Sequence, residues 1–170
     1  MSQLALDTFR SQGATFSPDR RYRYTLWRIW GDAGRLVLFL MLNPSTADET
    51  ALDPTLVKCM KFARRWGYDG FYVANLFALR STDPEALLEA DEPVGWQNDA
   101  CIAASAMRCE RVVCAWGSHR AVGSRARALM TWLAPLAEML CLHRNADGHP
   151  QHPLYVSGDV EPVDFTYEAA

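Results

Sequence analysis

The densest polar chemistry in the chain is Asn43-Pro44-Ser45-Thr46, followed by Asp48. It comes directly after an unbroken apolar run, Leu36 to Leu42. Such a run reads as a strand buried on both faces. Pro44 cannot donate to a strand ladder and biases Asn43 away from helical angles, so the strand ends there. The strand thus gives way to an amide that both donates and accepts, two hydroxyls and a carboxylate. Three later apolar stretches end in the same way. They lead into Asn75 to Thr82 with Arg80, into Gly117-Ser118-His119, and into His143 to His152. In open α/β sheets, ligands bind beyond the carboxyl ends of the strands. Parallel strands would therefore gather amides, hydroxyls, Arg80 and imidazoles along one edge. An amide there can orient water, and an imidazole can donate to a leaving group.

Plainer roles compete for each residue. Asn43 and Ser45 also suit a turn, and Asn75 suits loose backbone groups at a strand end. Asp53, before Pro54, has the position of a helix N-cap. His119 has the setting of a surface residue. In His149-Pro150-Gln151-His152-Pro153 the two prolines stiffen the loop, which would present a His to a base, phosphate or leaving group. A zinc reading of His143, His149 and His152 lacks a Cys or carboxylate at a familiar spacing, and no metal or cofactor is expected. The phosphate-cradling GxxxxGK[ST] and GxGxxG patterns and the GxSxG nucleophile elbow do not occur.

The elements that must position these groups can be read from hydrophobic pattern and punctuation. Met1–Asp19 reads as a leader with a mobile start, and residues 20–170 as one α/β domain. Arg20–Trp30 mixes aromatic residues with Arg in rough alternation, the pattern of a half-exposed strand. Gly31 to Gly34 then predicts a hairpin that sets it antiparallel to Arg35–Leu42. A helix runs from Asp53-Pro54 to the stop at Gly67, and a strand over Phe71–Ala74. A short helix extends from Asp83-Pro84 to Ala90, and a longer one covers Trp96–Cys109. Arg111–Trp116 is a strand, Ala121–Leu133 a helix, Glu138–Leu142 a strand. Strands alternating with helices predict a mainly parallel sheet with helices on both sides.

With 49% hydrophobic and 22% charged residues, the chain is globular rather than disordered. A net charge of −3 gives no overall basic field for nucleic acid. Cys59, Cys101, Cys109, Cys114 and Cys141 show no CxxC spacing and read as buried free thiols. Met1–Ser17 lacks the apolar run of a signal peptide, and no stretch suits a membrane helix, so a soluble cytoplasmic protein is expected.

The segments RYRYTLWRIW, MLNPSTAD, DPTLVKCMKFARRWGYDGFYVANLFALRSTDP, PVGWQND, AWGSH and DGHPQHPLY, in that order, resemble the bacterial and phage family known as domain of unknown function 1643. The likeness runs from about Tyr22 to Tyr155. It departs at Gln151, where the family is expected to carry Arg, and at Ala146, where Lys is common. More distantly, the order of motifs is similar to that of the uracil-DNA glycosylase superfamily. That resemblance implies a three-layer α/β/α sandwich. It casts Asn43-Pro44 as the loop that positions the attacking water and Asn75 as the reader of a flipped base. It casts His149 or His152 as the group that stabilises the departing base. Pro44, Ser45, Thr46, Arg80 and His119 would complete the binding surface, and Arg120, Arg125 and Arg127 are candidate phosphate contacts.

Cleaving an N-glycosidic bond builds negative charge on the base, which a His can meet in a dry pocket. The leading expectation is a nucleobase- or nucleotide-binding domain serving N-glycosidic hydrolysis in DNA or a nucleoside. Against DNA stand the acidic balance and the carboxylates Asp48, Glu49 and Asp53 beside the loop. The alternatives are a non-catalytic nucleic-acid or nucleotide-binding module, and a different hydrolase using Ser45 or Thr46 with a His.

Overall fold

The apolar run at Leu36 becomes the middle strand of a seven-stranded sheet. The computed structural model describes residues 8–168. In chain order the elements are β1 (Ser11–Phe16), β2 (Arg23–Ile29), β3 (Leu36–Met41), α1 (Pro54–Arg65), β4 (Gly70–Asn75), α2 (Ala86–Glu89), α3 (Asn98–Arg108), β5 (Arg111–Cys114), α4 (Val122–Leu133), β6 (Glu138–Cys141) and β7 (Val163–Asp164). A 3-10 turn lies at Pro153–Tyr155. The strand order is β1-β2-β4-β3-β5-β6-β7.

Side chains of β3 alternate between two cores. Leu38 and Leu40 face one core, and Val37, Phe39 and Met41 face the other. α1 covers the second face with Leu56, Met60 and Phe62. α3 and α4 cover the first with Ile102, Ala106, Val122, Ala126, Leu129 and Leu133. Each fully buried Leu, Val or Phe contributes on the order of 1.5–3 kcal/mol of transfer free energy. α1 starts where Asp53 Oδ1 accepts from the Leu56 amide at 2.9 Å, and ends at Gly67, whose φ of +78° suits glycine. Among the described residues, no helix is long and apolar enough to cross a membrane.

The sheet is mixed, which corrects the expectation of a mainly parallel one. β4, β3, β5 and β6 run parallel, whereas the β1–β2, β2–β4 and β6–β7 ladders are antiparallel. The added antiparallel strands come from the two ends of the chain. β1 lies within the supposed leader, and β7 lies in the C-terminal tail. The first seven residues of that leader fall outside the described residues.

The expected hairpin of Arg20–Trp30 with Arg35–Leu42 does not form, because β4 lies between β2 and β3. Asp69 is the wedge. Its carbonyl accepts from Trp30 and Gly31 at 2.8 and 3.0 Å, its amide donates to Arg35 O at 2.7 Å, and its Oδ2 accepts from the Arg35 amide at 2.9 Å. A Cβ on Gly31 would stand 2.1 Å from Asp69 Oδ1, so a larger residue there would displace the Asp69 side chain.

Nor is β2 half-exposed. From Arg23 to Leu26 it is buried, and Arg28 is fully buried as well. The alternation of aromatic residues and Arg does not mark a wet face, because both arginines reach inward to the backbone after β3. Arg23 Nη1 donates to Ala47 O at 3.0 Å and Arg28 Nη2 to Asp48 O at 2.9 Å. The loop that carries the polar motif is thereby held from beneath.

Candidate functional site

The carboxyl ends of β3, β4 and β5 and the N-terminus of α1 enclose a cavity of about 350 Å³. That lies within the usual range for a small-molecule site. Its walls carry Asn43, Ser45, Asn75 and His152 from the sequence-based candidates. Met41, Leu42, Leu56 and Leu154 supply apolar wall, and Trp116 and Tyr155 supply aromatic rings.

Asn43 is fixed by its amide nitrogen. Nδ2 points at the carbonyls of Pro44, Leu79 and Ser81, at 3.2, 3.3 and 3.0 Å. Only the NH2 end can donate to carbonyls, which settles the orientation of the amide. Its Oδ1 has no partner among the described residues and is left for the cavity.

Asn75 closes β4 opposite Met41 of β3. It is 2% exposed, and its backbone carbonyl is pinned by Asn98 Nδ2 at 2.9 Å. Its side-chain amide has no hydrogen-bond partner among the described residues, yet it lines the cavity. Buried amides are normally paired. One left open onto a hole offers a donor and an acceptor side by side.

His152 is delivered by the stiff loop after β6. Gln151 N donates to His143 O, and Gly117 N donates to Pro150 O, each at 2.8 Å. The loop is thus tied down just beyond β5. His152 Nδ1 accepts from the Leu154 amide at 3.3 Å, so in the neutral ring the proton sits on Nε2. Burial pushes its pKa below the ordinary histidine value, with the Asp53 charge pulling partly back. At neutral pH the cavity therefore meets an uncharged imidazole with an N–H to give.

Two charged lining residues were not foreseen as site residues. Asp53 serves as the expected helix cap through Oδ1 and also lines the cavity. Arg23 is 2% exposed, and burial lowers its pKa to about 10, with Asp53 pulling the other way. The signal for Arg23 in the sequence was its place inside an aromatic run, which also fits a solvent-facing strand position.

Other candidates lie elsewhere. His149 packs its ring against Tyr167 at 5.7 Å, away from the cavity lining, with Nδ1 buried and unpartnered. His119 meets Glu85 at 3.2 Å. Arg80 sits over the Phe16 ring at 4.9 Å and donates to Arg20 O. Pro44 and Thr46 flank the lining residues without joining them. Arg120 pairs with Glu85, and Arg125 binds Leu76 O and Asp99. His143 is exposed, and no group of three His, Cys, Asp or Glu among the described residues could hold a metal ion.

A family model described as "Protein of unknown function (DUF1643)" matches residues 23–154. No curated protein and no solved structure matches the chain.

Proposed function

The chain belongs to the family of proteins of unknown function DUF1643, and we propose that its strand-end cavity binds a nucleobase-containing ligand and serves hydrolysis of an N-glycosidic bond. The observation that carries this reading is Asn75: a buried side-chain amide, unpartnered among the described residues, on the wall of a cavity of about 350 Å³. An amide pairs in two directions with the edge of a base, which offers a donor beside an acceptor. A hydroxyl or carboxylate would not match that edge as well.

The other groups have roles in the same reaction. Asn43 Oδ1 accepts from a water, with the remaining oxygen of Asp53 on the same cavity to take its proton. His152 Nε2–H donates to the departing base as negative charge develops on it. Trp116 and Leu154 keep bulk water from the groups they border. The motif order similar to uracil-DNA glycosylases supports the assignment of Asn43, Asn75 and a His-Pro loop to these roles. We read the helices on both faces of the sheet as a three-layer arrangement of that kind, with Ser45 beside Asn43 on the binding surface and the protein acting in the cytoplasm.

The test is a thermal-shift and base-release panel with nucleosides, nucleoside monophosphates and uracil-containing single- and double-stranded DNA. Stabilisation with release of free base is expected for at least one ligand, and Asn75→Leu should remove it. Binding without release refutes the hydrolysis. No stabilisation by any of these ligands refutes the proposal as a whole.

A further inference from the structure

We propose that Arg23 receives the phosphate of a nucleoside 5′-monophosphate, so that the cavity takes a free mononucleotide rather than a stretch of nucleic acid. The inference rests on the reading of Asn75 given above and adds the class of ligand.

Arg23 is held at the wall of the cavity and is 2% exposed. Among the described residues, its guanidinium makes a single hydrogen bond, from Nη1 to Ala47 O at 3.0 Å. Nε is buried without a partner, and Nη2 has none among the described residues. No carboxylate of those residues forms an ion pair with it. Arg28, the other buried arginine of β2, contrasts with it. Arg28 gives both Nη atoms to the carbonyls of Gly13, Trp27 and Asp48, and does not line the cavity. A buried guanidinium without a counter-charge is costly. Arg28 also has a buried Nε without a partner, but it spends both Nη atoms on carbonyls away from the cavity, whereas Arg23 keeps Nη2 unpaired on the cavity wall that it shares with Asp53.

The formally charged groups on the wall are Arg23 and Asp53. They would divide a nucleotide between them. The guanidinium suits phosphate oxygens. The carboxylate accepts from hydroxyls, which a ribose supplies. The burial of Arg23 also separates two sources of phosphate. Phosphates of a continuous strand run along a protein's surface, where salt and solvent reach them. A cation inside a cavity of this size fits a terminal phosphate on a small molecule. The overall charge of −3 is in keeping with that choice.

The experiment is calorimetric titration of the full chain with nucleosides, their 5′-monophosphates, ribose 5-phosphate and a dinucleotide. A 5′-monophosphate should bind about tenfold or more tightly than its nucleoside. Arg23→Met should bring the ratio to near one while nucleoside binding persists, and Arg23→Lys should keep part of the preference. Arg28 still holds Asp48 O in these variants. If Arg23→Met does not fold, the wild-type ratio alone decides. Equal affinity for nucleoside and monophosphate overturns the proposal, as does a dinucleotide that binds more tightly than either mononucleotide. If ribose 5-phosphate binds as tightly as the nucleotide and Asn75→Leu changes nothing, the role of Arg23 stands and the base-binding role of Asn75 falls.

Discussion

Asn75 and Asn98 are both buried, 2% and 0% exposed, and lie against each other, yet the fold uses them in opposite ways. Asn98 Nδ2 donates to Asn75 O at 2.9 Å and to Leu76 O at 3.1 Å, pinning the chain as it leaves β4. Asn75 gives its own amide to no described residue. Substituting each with Leu, close in size and apolar, separates the two roles. Asn98→Leu takes its donor from the Asn75 carbonyl, worth about 1–3 kcal/mol, whereas Leu76 O keeps the hydrogen bond from Arg125 Nε at 2.8 Å. Removal of the orphaned Asn98 Oδ1 offsets part of this. The expected net loss is about 1 kcal/mol. Asn75→Leu breaks no side-chain hydrogen bond to a described residue, and the amide faces the cavity, so stability should stay within about 0.5 kcal/mol of wild type. In a domain of this size, about 1 kcal/mol moves Tm by roughly 2–4 °C. Asn98→Leu should thus melt a few degrees lower and Asn75→Leu close to wild type, by urea denaturation and calorimetry. Only Asn75→Leu should abolish ligand binding in a protein of native stability. If Asn75→Leu loses as much stability as Asn98→Leu, Asn75 is a structural residue, and the reasoning that assigns it to a ligand fails.

Asn43→Ala removes the donor shared by the Pro44, Leu79 and Ser81 carbonyls and should cost about 1–3 kcal/mol in chemical denaturation. His119→Ala and Ser45→Ala separate the pocket from its surroundings. The first should leave ligand affinity unchanged, because His119 bonds Glu85 outside the cavity, and a loss would redraw the site. The second should weaken binding without abolishing turnover, and complete loss of turnover would favour a Ser45 nucleophile. The pKa of His152 is lower in the folded chain than in the unfolded one. Its contribution to stability is therefore complete above the unfolded value of 6.5 and declines as pH falls through the folded value. Tm should drop with acidification below about pH 6.5, and His152→Gln should flatten that part of the profile. An unchanged profile would mean that His152 titrates as in the unfolded chain.

Much of the scaffold could be read from residue types. The run at Leu36–Leu42 marked the central strand because both its faces are covered. Asp53-Pro54 and Gly67 bracketed α1 because capping and positive φ are local matters. The polar ends of β3 and β4 meet at one cavity because the two strands are parallel neighbours, whereas Gly117 to His119 after β5 stay outside its lining. Pairing and orientation were harder to read. β4 enters between β2 and β3 through Asp69, a contact between residues far apart in the chain, whereas a hairpin prediction uses only the turn between two strands. Arg23 looked like a solvent-facing residue because its charge is visible in the sequence and its burial is not. His149 and His152 could not be told apart by type. The bond from Leu154 N to His152 Nδ1 and the packing of His149 on Tyr167 distinguish them.

The most direct measurement is a crystal structure of the chain with a nucleoside 5′-monophosphate bound. The account predicts the base edge within about 3 Å of the Asn75 amide, at hydrogen-bonding distance, with the phosphate at Arg23. An empty cavity at saturating nucleotide, or a base lodged away from Asn75, would contradict it.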